Sequence, residues 1–226
     1  MLLMVDLLSP DTGEVEVKII LISGVARSGT SILGKLIGSF KDVTYVYEPW
    51  FLAQLSCLTK PQIKEMLPRF FHELMVAEQR KGGVERQDSY PGTLITKMVN
   101  LQEFFEPIKE ALPEIKIIEI IRDRESVAKS INKKGWYTVS GLSRPSLSPK
   151  RIINGATVPF WADAEFLEVK NKGEYCWDRL AGRGVCDYVL SYQAFCRDPG
   201  WFAEDLAKFL GLEYGKETKS VIKEIR

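Results

Sequence analysis

Eight consecutive residues, Gly24-Val25-Ala26-Arg27-Ser28-Gly29-Thr30-Ser31, place two glycines, a guanidinium and three hydroxyls one residue after the apolar run Ile19-Ile20-Leu21-Ile22. A strand that empties into a glycine-bounded loop and then opens a helix makes an anion cradle. Loop N–H groups turn inward, and the helix adds its unpaired first-turn donors and the positive end of its dipole. A second candidate follows the run Ile115 to Ile121, where Arg122-Asp123-Arg124 precede Ser130 by a little over two helical turns, so one helix face presents a guanidinium and a hydroxyl. Arginine grips a phosphate monoester through a rigid two-pronged fork. Taken alone, the Arg-Asp-Arg cluster reads as local surface ion pairs. Glu48 and Lys97 also fall at or just beyond the ends of short apolar runs, where Glu48 taken alone reads as a local cap or pairing carboxylate.

These residues need elements to hold them at one edge. Hydrophobic spacing predicts strands at about 15–23, 43–47, 93–98, 115–121 and 186–190. Helices are expected at 30–40, in proline-punctuated pieces over 60–81, at 101–112, from about 125, over 161–180 with an interruption near Asn171, and over 201–210, closing at Gly211. Strands alternating with helices indicate a central parallel β-sheet flanked by helices in a single α/β domain over residues 1–226, with ligands at the carboxyl ends of the strands. The stretch 133–159 loses periodicity among Gly, Ser, Pro, Arg144, Lys150 and Arg151, a length typical of a functional loop.

Composition removes whole classes. With 31 basic and 30 acidic residues among 226, the formal net charge is +1, so no global field draws the chain to nucleic acid or an anionic membrane, and any anion site must be local. No apolar stretch reaches membrane-span length, and the N-terminus meets Asp6 before a signal-peptide core forms. A cytoplasmic protein is expected. Cys57, Cys176, Cys186 and Cys196 lack C-x-x-C spacing and read as free thiols, with a disulfide left open. No carboxylate cluster is built for Mg²⁺.

The first loop is close to the nucleoside-triphosphate P-loop G-x-x-x-x-G-K-[ST], but Thr30 stands where that motif has its lysine and the cation is Arg27. ATP and GTP hydrolysis rely on that lysine at the β/γ-phosphates. Arg27-Ser28-Gly29-Thr30-Ser31 instead resembles the 5′-phosphosulfate loop [RK]-S-G-[TS]-[TS] of sulfotransferases that use 3′-phosphoadenosine 5′-phosphosulfate (PAPS). Arg122 to Ser130 resembles their 3′-phosphate motif R-[DN]-x-x-x-x-[AV]-x-S. Tyr192 to Pro199, followed by Phe209-Leu210-Gly211, resembles a third, largely structural signature, with Gln193 in place of its usual glutamate. The segment Asp42 to Trp50 looks like the second-strand exit of the carbohydrate and tyrosylprotein branches.

That resemblance implies a P-loop-like sulfotransferase fold and in-line transfer of a sulfuryl group to an acceptor hydroxyl, a carbohydrate or other small-molecule alcohol, with no metal required. It implies Gly24, Ala26, Arg27, Ser28, Gly29, Thr30, Ser31, Arg122 and Ser130 as donor-binding residues and adenosine 3′,5′-bisphosphate as product. Glu48 is implied as general base, with Arg27 and Lys97 beside the transferring group. The sole histidine, His72, falls mid-helix and reads as structural. Trp50, Phe51, Trp136, Tyr137, Phe160 and Trp161 are candidate acceptor-facing rings. Two alternatives stay open: a kinase-like phosphotransferase using the same loop, and a catalytically idle PAPS-binding protein.

Overall fold

Runs rich in Ile, Leu and Val, too short for helices, form strands that are covered on both faces. The computed structural model describes residues 17–49, 51–81, 92–134 and 170–225. Strands β1 (Lys18–Ser23), β2 (Val43–Tyr47), β3 (Thr93–Lys97), β4 (Lys116–Ile121) and β5 (Tyr188–Ser191) make one sheet in the order β2-β3-β1-β4-β5. Every pairing is parallel. The helices are α1 (Thr30–Gly38), α2 (Lys60–Lys81), α3 (Phe105–Ala111), α4 (Arg124–Lys133), α5 (Lys172–Leu180), α6 (Tyr192–Arg197), α7 (Pro199–Leu210) and α8 (Thr218–Ile225). The expected α/β architecture, a parallel sheet flanked by helices, holds. Because the crossovers from β1 and β3 lead to opposite sides of the sheet, the carboxyl end of β1 is its topological switch point, the place where open α/β sheets form a crevice.

Period-2 alternation divides the strands between two cores. Ile20, Ile22, Ile118 and Ile120 point to α1, α6, α7 and α8, while Leu21, Leu94 and Ile117 point to α2 and α3. A third cluster, Val25 and Ala26 with Val127, Ile131, Cys176 and Leu180, wedges α4 and α5 beneath the first loop. On α1, Gly34 and Gly38 open a notch for Tyr45 of β2. A Cβ would stand 2.4 Å from Tyr45 Oη at Gly34 and 2.7 Å from Tyr45 Cβ at Gly38.

Four features differ from expectation. Residues 60–81 form one helix that runs through Pro68, since the stripe Ile63, Leu67 and Phe71, at most 1% exposed, outweighs one lost hydrogen bond. The stretch from 101 to 112 begins as a 3₁₀ turn, Gln102–Phe104, before α3. Helix α6 follows directly on β5, where Ser191 Oγ accepts from Ala194 N at 3.4 Å. Helix α8 is tied down by Thr218, whose hydroxyl donates to Ser39 O at 3.0 Å and accepts from Gly215 N at 3.1 Å. The expected strand start at 15–16, the helix start at 161–169, and the loop with Arg144, Lys150 and Arg151 lie outside the described residues. Cys176, Cys186 and Cys196 are free thiols. Burial pushes the Cys176 thiol up to about 12, leaving it inert.

Candidate active site

Register brings the functional strand ends level. Ile22 pairs with Lys97 and Ser23 with Glu119, so β1, β3 and β4 finish side by side. The loop beyond β1 is folded tightly. Ser28 N donates to Val25 O at 3.0 Å, and Arg27 and Gly29 adopt positive φ of 74° and 109°. Asn100, itself at φ 62°, clamps the loop from the β3 side, its N–H on Gly24 O and its Oδ1 on Ala26 N, both at 3.0 Å. Gly24 passes so close to β4 that a Cβ would lie 2.5 Å from Ile120 O. At Gly29 a Cβ would meet the Tyr192 ring at 2.4 Å as well as strain the backbone. Gly29→Ala is therefore expected to lower stability by roughly 1–3 kcal/mol, read from denaturant midpoints.

What the loop encloses is suited to an anion. Among the described residues, no side chain caps the first turn of α1, and Ser28 Oγ and Arg122 Nε are buried without a hydrogen-bond partner. Buried polar atoms of this kind call for a ligand or another explanation. Arg27 Nε donates to Ser130 Oγ at 3.0 Å, and an Arg122 terminal nitrogen reaches Arg27 O at 3.4 Å. The two anion sites read separately from the sequence thus form one continuous cluster of Arg27, Arg122 and Ser130.

Arg122 is aimed by its surroundings. Its guanidinium lies 4.5 Å above the Tyr192 ring, and its carbonyl accepts from Trp177 Nε1 at 2.8 Å. Its neighbours in sequence are structural. Asp123 caps α4 by accepting from Ser126 N at 2.7 Å, a bond that holds its carboxyl below the usual range. Gln193 donates its amide to the other Asp123 oxygen, so a glutamate at 193 would set two carboxylates against each other. Arg124 turns away to grip Asp178 through two bonds of 2.7 Å, fixing α4 against α5.

Glu48 and Lys97 meet at the neighbouring strand ends. Lys97, with its side chain 2% exposed, places Nζ 2.5 Å from Glu48 Oε1 and 4.1 Å from the centre of the exposed Tyr47 ring. Glu48 is itself held at φ 43° while its N–H donates to Lys97 O at 3.1 Å. Arg27, Glu48 and Asn100 therefore all carry left-handed backbone beyond strand ends, the clustering seen where strain is retained for function.

Sequence reasoning does not single out Asn100, Tyr47 or the aiming role of Tyr192. The available signals are an asparagine two residues beyond a strand exit and an aromatic ring immediately before Glu48. Phe51 is a core residue, stacked on Phe70 and edge-on to Phe71 with ring centres 5.1 and 5.3 Å away, because it folds back over α2. It is not an acceptor-facing ring. Trp50, Trp136, Tyr137, Phe160 and Trp161 lie outside the described residues. His72 is on the exposed face of α2. A cavity of about 780 Å³ lies at the opposite, amino-terminal end of the sheet against Lys18, Thr93 and Lys116, and shares no residue with this site. Among the described residues, no His, Cys, Asp and Glu side chains group to hold a metal ion, and no helix is long and apolar enough to cross a membrane.

Comparison with known proteins gives these residues a context. No curated protein matches the chain. Among solved structures, it is similar to mouse sulfotransferase SULT7A1 complexed with PAP (18% identity, TM-score 0.46, covering 92% of this chain and 65% of that one). It is also similar to sulfotransferase STF1 from Mycobacterium tuberculosis H37Rv (14% identity, TM-score 0.46, 92% and 72% covered). A sulfotransferase domain from the curacin biosynthetic pathway matches with 15% identity and TM-score 0.47, covering 90% of this chain and 77% of that one. The chain thus spans 65% of the length of the mouse protein. The family model described as "Sulfotransferase family" matches residues 20–216, most of the sequence and the whole of the site above, and the chain belongs to the sulfotransferase family.

Proposed function

We propose that the chain transfers a sulfuryl group from PAPS to the hydroxyl of a small-molecule acceptor, with a carbohydrate as the first class to test. The observation that carries this reading is the continuous edge from Arg122, Ser130 and Arg27, across the glycine loop, to the Lys97–Glu48 pair. Three cations and an uncapped helix start suit a donor that ends in sulfate and carries phosphates, and the pair beside them suits an acceptor that must lose a proton.

In this reading Arg122 and Ser130 hold the 3′-phosphate, while the loop amides, Thr30, Ser31 and Arg27 hold the 5′-phosphate. The donor supplies the sulfuryl group. Lys97 faces its oxygens, and Glu48 takes the acceptor proton as a new S–O bond forms and the bond to the phosphate breaks, releasing adenosine 3′,5′-bisphosphate. Most of the rate comes from alignment and from charge already in place, as in phosphoryl transfer.

Calorimetric titration with adenosine 3′,5′-bisphosphate in EDTA tests the donor class. Saturable binding is expected, weakened about 10- to 100-fold in Arg122→Ala by loss of charge-assisted hydrogen bonds to one phosphate. Absence of binding, together with Mg²⁺-dependent binding of ATP, would point to a kinase-like phosphotransferase. Binding without turnover of PAPS across a broad acceptor panel would mark an idle binding protein.

A further inference from the structure

Glu119 lies in the middle of β4 with 0% exposure, on the sheet face covered by α2 and α3, and the chemistry above does not use it. Its Oε1 accepts from Gln102 Nε2 and from Gly182 N, both at 3.1 Å, while Oε2 has no partner among the described residues. Three more buried oxygens near these strand ends also lack partners there: Ser23 Oγ, Thr96 Oγ1 and Gln102 Oε1. Ser23 is the register partner of Glu119 on the adjacent strand, and Gln102 is bonded to it.

Among the described residues, no cation is paired with this carboxyl. On the surrounding elements, Lys109 is paired with Asp187 at 2.6 Å and Arg179 with Glu103 at 3.0 Å, and the Cys186 thiol is a further titratable neighbour, pushed up by burial and in part by Glu119 itself. A buried carboxylate with two neutral donors and no counter-charge is far less favourable than the neutral acid. The orphan set points the same way. Gln102 Oε1 only accepts, and a proton on Oε2 gives this set of oxygens one more donor.

We infer that Glu119 is a positioning residue held as a neutral carboxylic acid, which ties three segments bordering the active site into one unit. Through Gln102 it fixes the turn after β3, from which Asn100 clamps Gly24 and Ala26. Through Gly182 it fixes the approach to β5. Burial likewise pushes the Glu119 carboxyl above the usual carboxylate range. None of this depends on which donor or acceptor the site takes.

The test compares wild type with Glu119→Gln and Glu119→Leu in the full chain, using unfolding equilibria from pH 5 to 9 and amide hydrogen exchange. Glutamine reproduces the neutral acid, with a carbonyl for the two N–H donors and an amide to donate where Oε2 stands. A group whose folded pKa is raised stabilises most at low pH and loses that contribution as pH climbs from its unfolded to its folded value. The unfolding constant of wild type relative to Glu119→Gln is therefore expected to rise by up to about tenfold per pH unit across that window and then level off.

At pH 6, Glu119→Gln should keep the exchange protection of the Ala26 amide. Glu119→Leu should lower it about tenfold or more, while the middle of α7 stays protected. A ratio flat with pH, or a glutamine variant as exposed at Ala26 as the leucine one, overturns the inference. Should the leucine variant not fold, the pH series on the glutamine variant decides alone.

Discussion

Glu48→Gln is expected to lower kcat by about 10²- to 10⁴-fold while leaving adenosine 3′,5′-bisphosphate binding intact. The amide matches the carboxylate in shape and still offers Lys97 an oxygen, so the residues proposed to hold the donor, on the other strand ends, stay in place. It cannot take up the acceptor proton. A secondary effect follows from the pair itself. The Lys97 side chain is 2% exposed, and exchanging its counter-ion for a neutral oxygen destabilises a charge that water hardly reaches, by about 1–3 kcal/mol. Steady-state kinetics with PAPS, run beside calorimetry and thermal unfolding, separate the two effects. Undiminished turnover in a folded variant would remove Glu48 from the reaction.

Lys97→Met should lower kcat by about 10²- to 10³-fold, the range observed when one preorganised donor is removed from a developing anion. Methionine fills the space of the lysine stem with little strain. Its loss strands Glu48, but that side chain is 36% exposed and water can solvate it, so the protein should fold. The diagnostic is the split between constants: a fall in kcat with donor affinity little changed assigns Lys97 to the transferring group. A fall confined to donor affinity would make it one more binding cation. Lys97→Arg is not expected to rescue, because the broader fork has no room in so closed a slot.

Elements whose periodicity is local are legible in the order of the amino acids alone. Strands β1, β2, β3 and β4 and helix α7 stand where alternation or helical spacing puts them, and the glycine loop announces itself by composition. Helix α6 escapes such a reading because its six residues are shorter than any periodic signal, and α8 because its anchor, Thr218 on Ser39, is a contact across most of the chain. The site is half legible. Glu48, Lys97, Arg27 and Arg122 can each be placed at a strand end, but the ion pair between residues 49 apart and the Arg27–Ser130 bond between residues 103 apart are products of register and packing. Glu119 does leave a mark in the sequence: one carboxylate in the run Lys-Ile-Ile-Glu-Ile-Ile, which a central parallel strand must bury on both faces.

The ring of Tyr45 seated in the Gly34–Gly38 notch has a mechanical consequence. A helix resting on branched side chains can roll about its long axis with small repacking, whereas one that is slotted over an aromatic ring has a fixed rotational phase. Gly34 is four residues from Thr30, about 6 Å along the axis. The keyway therefore sits roughly one turn behind the amides that face the crevice, and any roll of α1 would swing those amides off their target. The small residues on the flank of α1 thus act as an alignment pin for its tip, and filling the notch would misdirect the proposed anion cradle without touching a residue that lines it.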